Sequence, residues 1–212
     1  MSLTIYFLRH GETEYSKSGG FCGDLDPELT ATGTQMAQEF ANTYKSLSWS
    51  AIYCSPMKRT IATAKILSEV AGLSLQLRDG LKEIKYGEWE GLTAESVKQN
   101  HHDEYQRWMT EPAWNAPPGG ETSIEISNRA SQIISEIVHQ FADGNVLIVS
   151  HKATIRIILC SLLGIDLGRY RDRLDAPAGS ISVIKFGQYG PRLERLGDRS
   201  YMSEELQALP GT

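Results

Sequence analysis

Residues 3–8, Leu-Thr-Ile-Tyr-Phe-Leu, are almost continuously apolar and predict a short buried strand that ends against Arg9 and His10. Residues 30–44 then predict a helix with Thr30 as its N-cap, and residues 51–54 a second strand. Ser55-Pro56 predicts the start of another helix, with serine as cap and proline in the first turn; it runs to Ala71, where Gly72 stops it. Residues 74–77 predict a third strand, closed by an Asp79-Gly80 turn. Thr122-Ser123-Ile124-Glu125 has the form of a capping box, opening a helix that reaches about Phe141. Residues 146–149 predict an aliphatic strand, residues 151–163 a helix ended by Gly164, and residues 180–186 with 192–196 a hairpin at the sheet edge. The tail after Ser200 reads as a surface extension.

Strands separated by helices imply a mostly parallel sheet covered on both faces, a three-layer α/β/α sandwich. Residues 1–212 read as one domain, interrupted by a lid-like excursion at about 87–120. That stretch carries Trp89, Trp108 and Trp114, is broken by Pro112, Pro117, Pro118, Gly119 and Gly120, and is expected to cover one end of the sheet. In such sheets the ligand lies beyond the carboxyl ends of the strands. The rule singles out the residues directly after Leu8, Cys54 and Val149: Arg9-His10, Ser55 through Arg59, and Ser150-His151.

The net charge of -5 excludes a broad electrostatic attraction to nucleic acid or acidic lipid, so an anionic substrate needs a local cluster of cations. Cys22, Cys54 and Cys160 are odd in number and scattered, which argues against a disulfide framework and a structural zinc site and for a reducing compartment. Met1 leads straight into a strand without a basic segment or cleavage site, and no apolar run reaches membrane-spanning length. The expectation is a cytoplasmic protein with no membrane or nucleic-acid partner.

Five ordered blocks carry more information than any of these features. Arg9-His10-Gly11-Glu12-Thr13 stands first. The segment from Ser55-Pro56-Met57-Lys58-Arg59 to Ala64 comes next, then Leu81-Lys82-Glu83 running into Gly87-Glu88-Trp89-Glu90-Gly91. Pro118-Gly119-Gly120-Glu121-Thr122 and Val149-Ser150-His151 complete the set. In content and order they resemble the histidine phosphatase superfamily, also called phosphoglycerate mutase-like. The resemblance spans nearly the whole chain and implies that family's fold.

It also implies roles. His10 attacks phosphorus with one ring nitrogen while an acceptor, a backbone carbonyl, holds the other. Arg9, Arg59 and His151 surround the phosphoryl oxygens, since guanidinium groups make paired hydrogen bonds to oxyanions. The arginines disfavour a protonated His10. Glu83 protonates the leaving alkoxide and then deprotonates water. No metal and no cofactor are required, the cations taking the part that magnesium plays in kinases.

Substrate contacts are expected at Arg9, Ser16, Cys22, Gly23, Arg59, Glu83, His151 and Lys152. Four positions depart from the family pattern. Many relatives carry asparagine in place of Ser16, arginine in place of Gly20, threonine or glutamine in place of Cys22, and glycine in place of Lys152. Lys152 has two readings, a further positive charge in the pocket or a side chain in solvent. Other suggestive residues read as structural. His101-His102-Asp103-Glu104 lacks a liganding period, His139 lies on a helix face, Asp24 and Asp26 lack the rest of a calcium loop, and Glu12 and Thr13 stabilise the turn after His10. The tryptophans read as core and lid packing.

The expected activity is a metal-independent phosphomonoesterase that acts through a phosphohistidine on a small phosphorylated metabolite. The alternative is a cofactor-dependent phosphoglycerate mutase, and an alpha-ribazole phosphatase is one specific form of the first reading. The resemblance implies a longer, more basic middle insertion for the mutases of the family; here that stretch is acidic and rich in tryptophan and the chain is short, so the expectation tilts to hydrolysis. A homodimer is compatible with the sequence.

Overall fold

The computed structural model describes residues 2–211. Its strands are β1 (Leu3–Arg9), β2 (Trp49–Cys54), β3 (Leu75–Leu77), β4 (Gly144–Ser150), β5 (Ile181–Gly187) and β6 (Gly190–Asp198). Among the described residues these form one sheet in the order β3-β2-β4-β1-β5-β6. β1, β2, β3 and β4 run parallel to one another, whereas β5 pairs antiparallel with β1 and with the edge strand β6. The helices are α1 (Glu14–Ser18), α2 (Ala31–Tyr44), α3 (Lys58–Ala71), α4 (Ala94–Asn100), α5 (His102–Thr110), α6 (Ser123–Gln140), α7 (Lys152–Leu163), α8 (Tyr170–Arg173) and α9 (Glu204–Gln207).

The period-two alternation of the strands sorts their side chains into two cores. Leu3, Ile5 and Phe7 of β1 point to one face, with Val146 and Ile148, against Ile126, Ala130, Ile134 and Ile137 of α6 and the apolar face of α7. Leu8, Ile52, Cys54, Leu147 and Val149 point to the other, against Phe40 and Ala41 of α2 and Ala64 and Leu67 of α3. Each fully buried Ile, Leu or Phe contributes about 1.5–3 kcal/mol. The result is the three-layer α/β/α sandwich expected from the sequence.

Local signals placed several boundaries correctly. Thr30 caps α2 by accepting from Gly33 N at 3.0 Å, and Thr122 and Glu125 close a capping box on α6. Gly72 and Gly164 end α3 and α7 with left-handed φ of 66° and 68°.

Other expectations need correction. α3 begins at Lys58, with Met57 and not Ser55 at the cap. Ser55 stays outside the helix because its backbone N–H donates to Val149 O at 3.0 Å and its hydroxyl meets the His151 ring at 2.8 Å. The Asp79-Gly80 turn is a 3-10 turn over Asp79–Leu81. The tail is no loose extension, since Met202 and Leu206 are buried against Met36 and Ala178. Trp89 and Trp108 pack with Val97, Phe21 and Tyr86 in a cluster of their own, but Trp114 is 74% exposed.

Candidate active site

β2, β4 and β1 are neighbours, so their carboxyl ends deliver three polar segments to one place. Arg9 N donates to Ser180 O at 3.0 Å and His10 N to Ser150 O at 3.1 Å, which holds the chain in register as it leaves the sheet. The backbone N–H of Gly11 then donates to Thr63 Oγ1 of α3 at 3.0 Å. Glu12 and Thr13 brace the turn: Thr30 Oγ1 donates to Glu12 Oε1 at 2.7 Å, and Thr13 caps the short helix α1.

His10 is buried, and its Nδ1 meets the carbonyl oxygen of Gly11 at 2.7 Å. A carbonyl can only accept, so Nδ1 carries the proton and Nε2 keeps its lone pair. Burial first, and the Arg59 and Arg9 charges second, push the imidazole pKa well below its usual 6.5. The ring is therefore neutral at physiological pH.

Arg9 and Arg59 both line the cavity in front of this ring. Arg9 Nη1 donates to Ala176 O at 2.8 Å and to Gly211 O at 3.2 Å. Burial draws the Arg9 pKa down to about 10, which leaves the guanidinium charged at neutrality. Arg59 is 1% exposed and is gripped on three sides. It donates from Nε to His151 Nδ1 at 3.2 Å, from Nη1 to Leu25 O at 2.7 Å and from Nη2 to Gly23 O at 3.2 Å.

His151 lies one row behind. Because its Nδ1 accepts from Arg59, its Nε2 donates to Ser55 Oγ at 2.8 Å, so both ring nitrogens are engaged. The ring stands edge-on to His10 with centroids 5.2 Å apart and is not among the cavity-lining residues. The ring thus stands beside both His10 and Arg59.

Glu83 sits at the N-terminus of α7. Its Oε1 accepts from Ile84 N at 3.0 Å and Thr154 N at 3.2 Å, and its Oε2 from Ala153 N at 3.3 Å. The two N–H groups of α7 have no partners within the helix, and the Glu83 side chain accepts from both. Arg129 of α6 holds the backbone of the same segment, donating to Gly80 O (2.8 Å), Lys82 O (2.9 Å) and Glu83 O (3.1 Å). Glu121 holds Arg129 in turn through a 2.9 Å ion pair and accepts from Lys85 N at 3.0 Å. The P-G-G-E-T block therefore works at one remove, by bracing the stretch of chain that carries Glu83.

The cavity measures about 200 Å³ and opens between His10, Arg9, Arg59 and Glu83 on its floor and residues 13–23 on its rim. Ser16, Cys22, Gly23 and Lys152 all line it. The Ser16 hydroxyl accepts from Thr13 N at 2.8 Å and closes the cap of α1. Burial pushes the Cys22 thiol up to about 11, so it stays protonated. Gly23, at φ 49°, turns its carbonyl to Arg59.

Sequence reasoning missed Tyr15, Phe21 and Tyr86, which complete the wall, and Arg129. Tyr86 is three positions beyond Glu83, just before the Gly87 turn; that proximity is the one signal the sequence offers. Asp26, read as structural, accepts from Lys58 N at 2.8 Å beside Arg59. His101 and His102 lie at the junction of α4 and α5. No cluster of His, Cys, Asp or Glu suited to a metal ion occurs among the described residues.

A neutral buried imidazole facing two guanidiniums at the strand ends of a parallel sheet defines an α/β enzyme that handles phosphoryl groups. The chain matches the sequence profile of the histidine phosphatase superfamily (branch 1) over residues 5–199, and it belongs to that family. Phosphoserine phosphatase 1 of Hydrogenobacter thermophilus is 32% identical over 166 residues, 78% of this chain and 79% of that protein. Adenosylcobalamin/alpha-ribazole phosphatase of Escherichia coli is 26% identical over 199 residues, 93% of this chain and 97% of that protein. The solved structure of Bacillus stearothermophilus YhfR is 25% identical and superposes with a TM-score of 0.87, covering 95% of this chain and 100% of that one. The chain is accordingly a phosphatase, a phosphoric monoester hydrolase. No helix among its described residues is long and apolar enough to cross a membrane.

Proposed function

We propose that the protein hydrolyses monoesters of small phosphorylated metabolites through a phosphohistidine on His10, without a metal ion. The observation that carries this reading is the His10 ring itself: Nδ1 is tied to the Gly11 carbonyl, and the Nε2 lone pair is free to attack between Arg9 and Arg59. Nε2 attacks phosphorus and the ester P–O bond breaks. Arg9 and Arg59 bind the phosphoryl oxygens and stabilise the charge spread over them in the transition state. Glu83, entering this step as the protonated acid, gives its proton to the departing oxygen and is left as the carboxylate. Water then attacks the phosphohistidine while the Glu83 carboxylate takes a proton from it. The N–P bond breaks, releasing phosphate and restoring neutral His10.

His151 acts as a positioning residue, holding the Arg59 fork. One relative is named a phosphoserine phosphatase, and the cavity volume of about 200 Å³ supports a small metabolite as substrate here.

Mass spectrometry of protein quenched during turnover of p-nitrophenyl phosphate tests the proposal. An acid-labile phosphoryl adduct is expected on His10, absent from His10→Ala, with turnover insensitive to EDTA. A phosphatase that keeps its rate in His10→Ala removes the nucleophile from the mechanism. Isomerisation of 3-phosphoglycerate with little release of phosphate replaces hydrolysis by mutase chemistry.

A further inference from the structure

Thr154 stands in the first turn of α7, and its buried hydroxyl lies within reach of two acceptors in the segment that carries Glu83. Oγ1 is 2.7 Å from Lys82 O and 3.3 Å from Glu83 Oε1. A hydroxyl has one proton, so it serves one of these acceptors at a time. While Glu83 is the neutral acid, the closer carbonyl takes it. Lys82 O also accepts from Arg129 Nη1 at 2.9 Å, so the hydroxyl can turn away without leaving that buried carbonyl unpaired.

The Glu83 carboxyl group is bonded unevenly. Oε1 accepts from two backbone N–H groups, those of Ile84 and Thr154, whereas Oε2 accepts from Ala153 N. Oε2 therefore has the open site for the acid proton. When that proton passes to the ester oxygen, the Oε2–H bond breaks and its electron pair stays on the carboxylate. Both oxygens then share the negative charge, and a hydrogen bond to Oε1 becomes charge-assisted, roughly twice as strong as one to a neutral carbonyl.

We propose that Thr154 is a positioning residue for proton transfer: its hydroxyl donates to Lys82 O while Glu83 is the acid and turns to Glu83 Oε1 once Glu83 is the carboxylate. The turn supplies one more donor as the leaving group takes its proton, which favours that transfer. When the attacking water returns a proton to Oε2, the hydroxyl swings back. Thr154 itself gains and loses no proton. This rests on the acid–base reading of Glu83.

The test measures kcat/KM for phenyl phosphate and p-nitrophenyl phosphate, esters of like shape of which only the first has a leaving group that needs a proton. Four proteins are compared: wild type, Thr154→Val, Glu83→Gln and the double variant. Valine keeps the shape of threonine and removes the hydroxyl. Thr154→Val is expected to lose about tenfold on phenyl phosphate, as one hydrogen bond to a charged group provides, and far less on p-nitrophenyl phosphate. Thr154→Ser restores the phenyl phosphate rate. In the Glu83→Gln background, where no carboxylate forms, Thr154→Val affects the two esters alike. An unchanged phenyl phosphate rate in Thr154→Val, an equal loss on both esters, or a selective loss that persists in the Glu83→Gln background overturns the turning hydroxyl. Thr154→Ala carries the same expectations and decides the matter should the valine variant not fold. Equal slowing of both esters in Glu83→Gln overturns the acid role and this proposal with it. Selective slowing there without any in Thr154→Val overturns this proposal alone.

Discussion

Gly11 and Gly33 touch backbone to backbone: a Cβ on Gly11 would lie 2.2 Å from the carbonyl oxygen of Gly33. The contact presses the turn behind His10 onto the first turn of α2. A Cβ on Gly33 would in turn meet Glu12 O at 2.2 Å. Neither clash can be relieved by a side-chain rotation. Gly11→Ala is expected to destabilise the protein by about 3 kcal/mol and to lower kcat by displacing the Gly11 carbonyl from His10 Nδ1. Denaturant unfolding with steady-state kinetics on the same sample measures both, and a variant as stable and active as wild type disproves the contact.

pH probes His10 and His151 together. Both are held neutral by burial and by Arg59, with pKa values well below 6.5. The unfolded chain binds protons at its histidines below about 6.5, while the native one refuses them. Stability therefore falls as pH drops below that value, by about 1.4 kcal/mol per pH unit for each histidine, and the slope ends only at the depressed native pKa values. Denaturant midpoints between about pH 7 and pH 5 should show the fall, and His10→Gln should make it shallower. In the same range kcat/KM should hold its plateau below about pH 6.5; an acid limb centred at or above that value contradicts a neutral His10.

Glu83→Gln keeps acceptor oxygen for the α7 N–H groups but cannot pass a proton. Alkyl phosphates should slow by about 10²–10⁴-fold and p-nitrophenyl phosphate far less, because its leaving group needs no proton. Equal slowing across a leaving-group series excludes the acid role.

Arg129→Met tests positioning. The variant loses the bonds to three carbonyls around Glu83 and strands Glu121. Its kcat on alkyl esters should fall while KM changes little, with the steeper leaving-group dependence expected of Glu83→Gln. A loss that is uniform over all leaving groups assigns Arg129 to general stability alone.

Arg59→Lys cannot reproduce a planar fork with acceptors at His151, Leu25 and Gly23. A loss of about 10²–10³-fold in kcat/KM is expected although the charge is kept. Near-normal activity in this variant reduces Arg59 to a point charge.

The sheet and its flanking helices were legible because their signals are local, as in the apolar run of residues 3–8 or the Thr122 and Glu125 cap. The features that sequence missed depend on distant partners. Ser55 looks like a cap, yet a bond to His151, 96 positions away, holds it outside the helix. The five residues of α1 bury no side chain and leave no periodic trace. The tail seemed free because Met202 and Leu206 find Met36 and Ala178 only in three dimensions. Within the site, residues with strong chemistry were visible. Tyr86 and Phe21 were not, since an aromatic ring that lines a cavity looks the same in sequence as one that fills a core.

Trp89, Val97 and Trp108 form a cluster apart from the two sheet-flanking cores, and Phe21 and Tyr86 belong at once to its margin and to the cavity wall. The selective wall thus draws on a cluster that the chemical floor does not use, although Tyr86 also packs against the main core. Divergence at Tyr15, Phe21 and Tyr86 can reshape which esters are admitted while the phosphoryl-transfer apparatus is passed on intact. That capacity lets one scaffold acquire new appetites by drift, and makes these three wall positions the natural place to randomise when retargeting the enzyme.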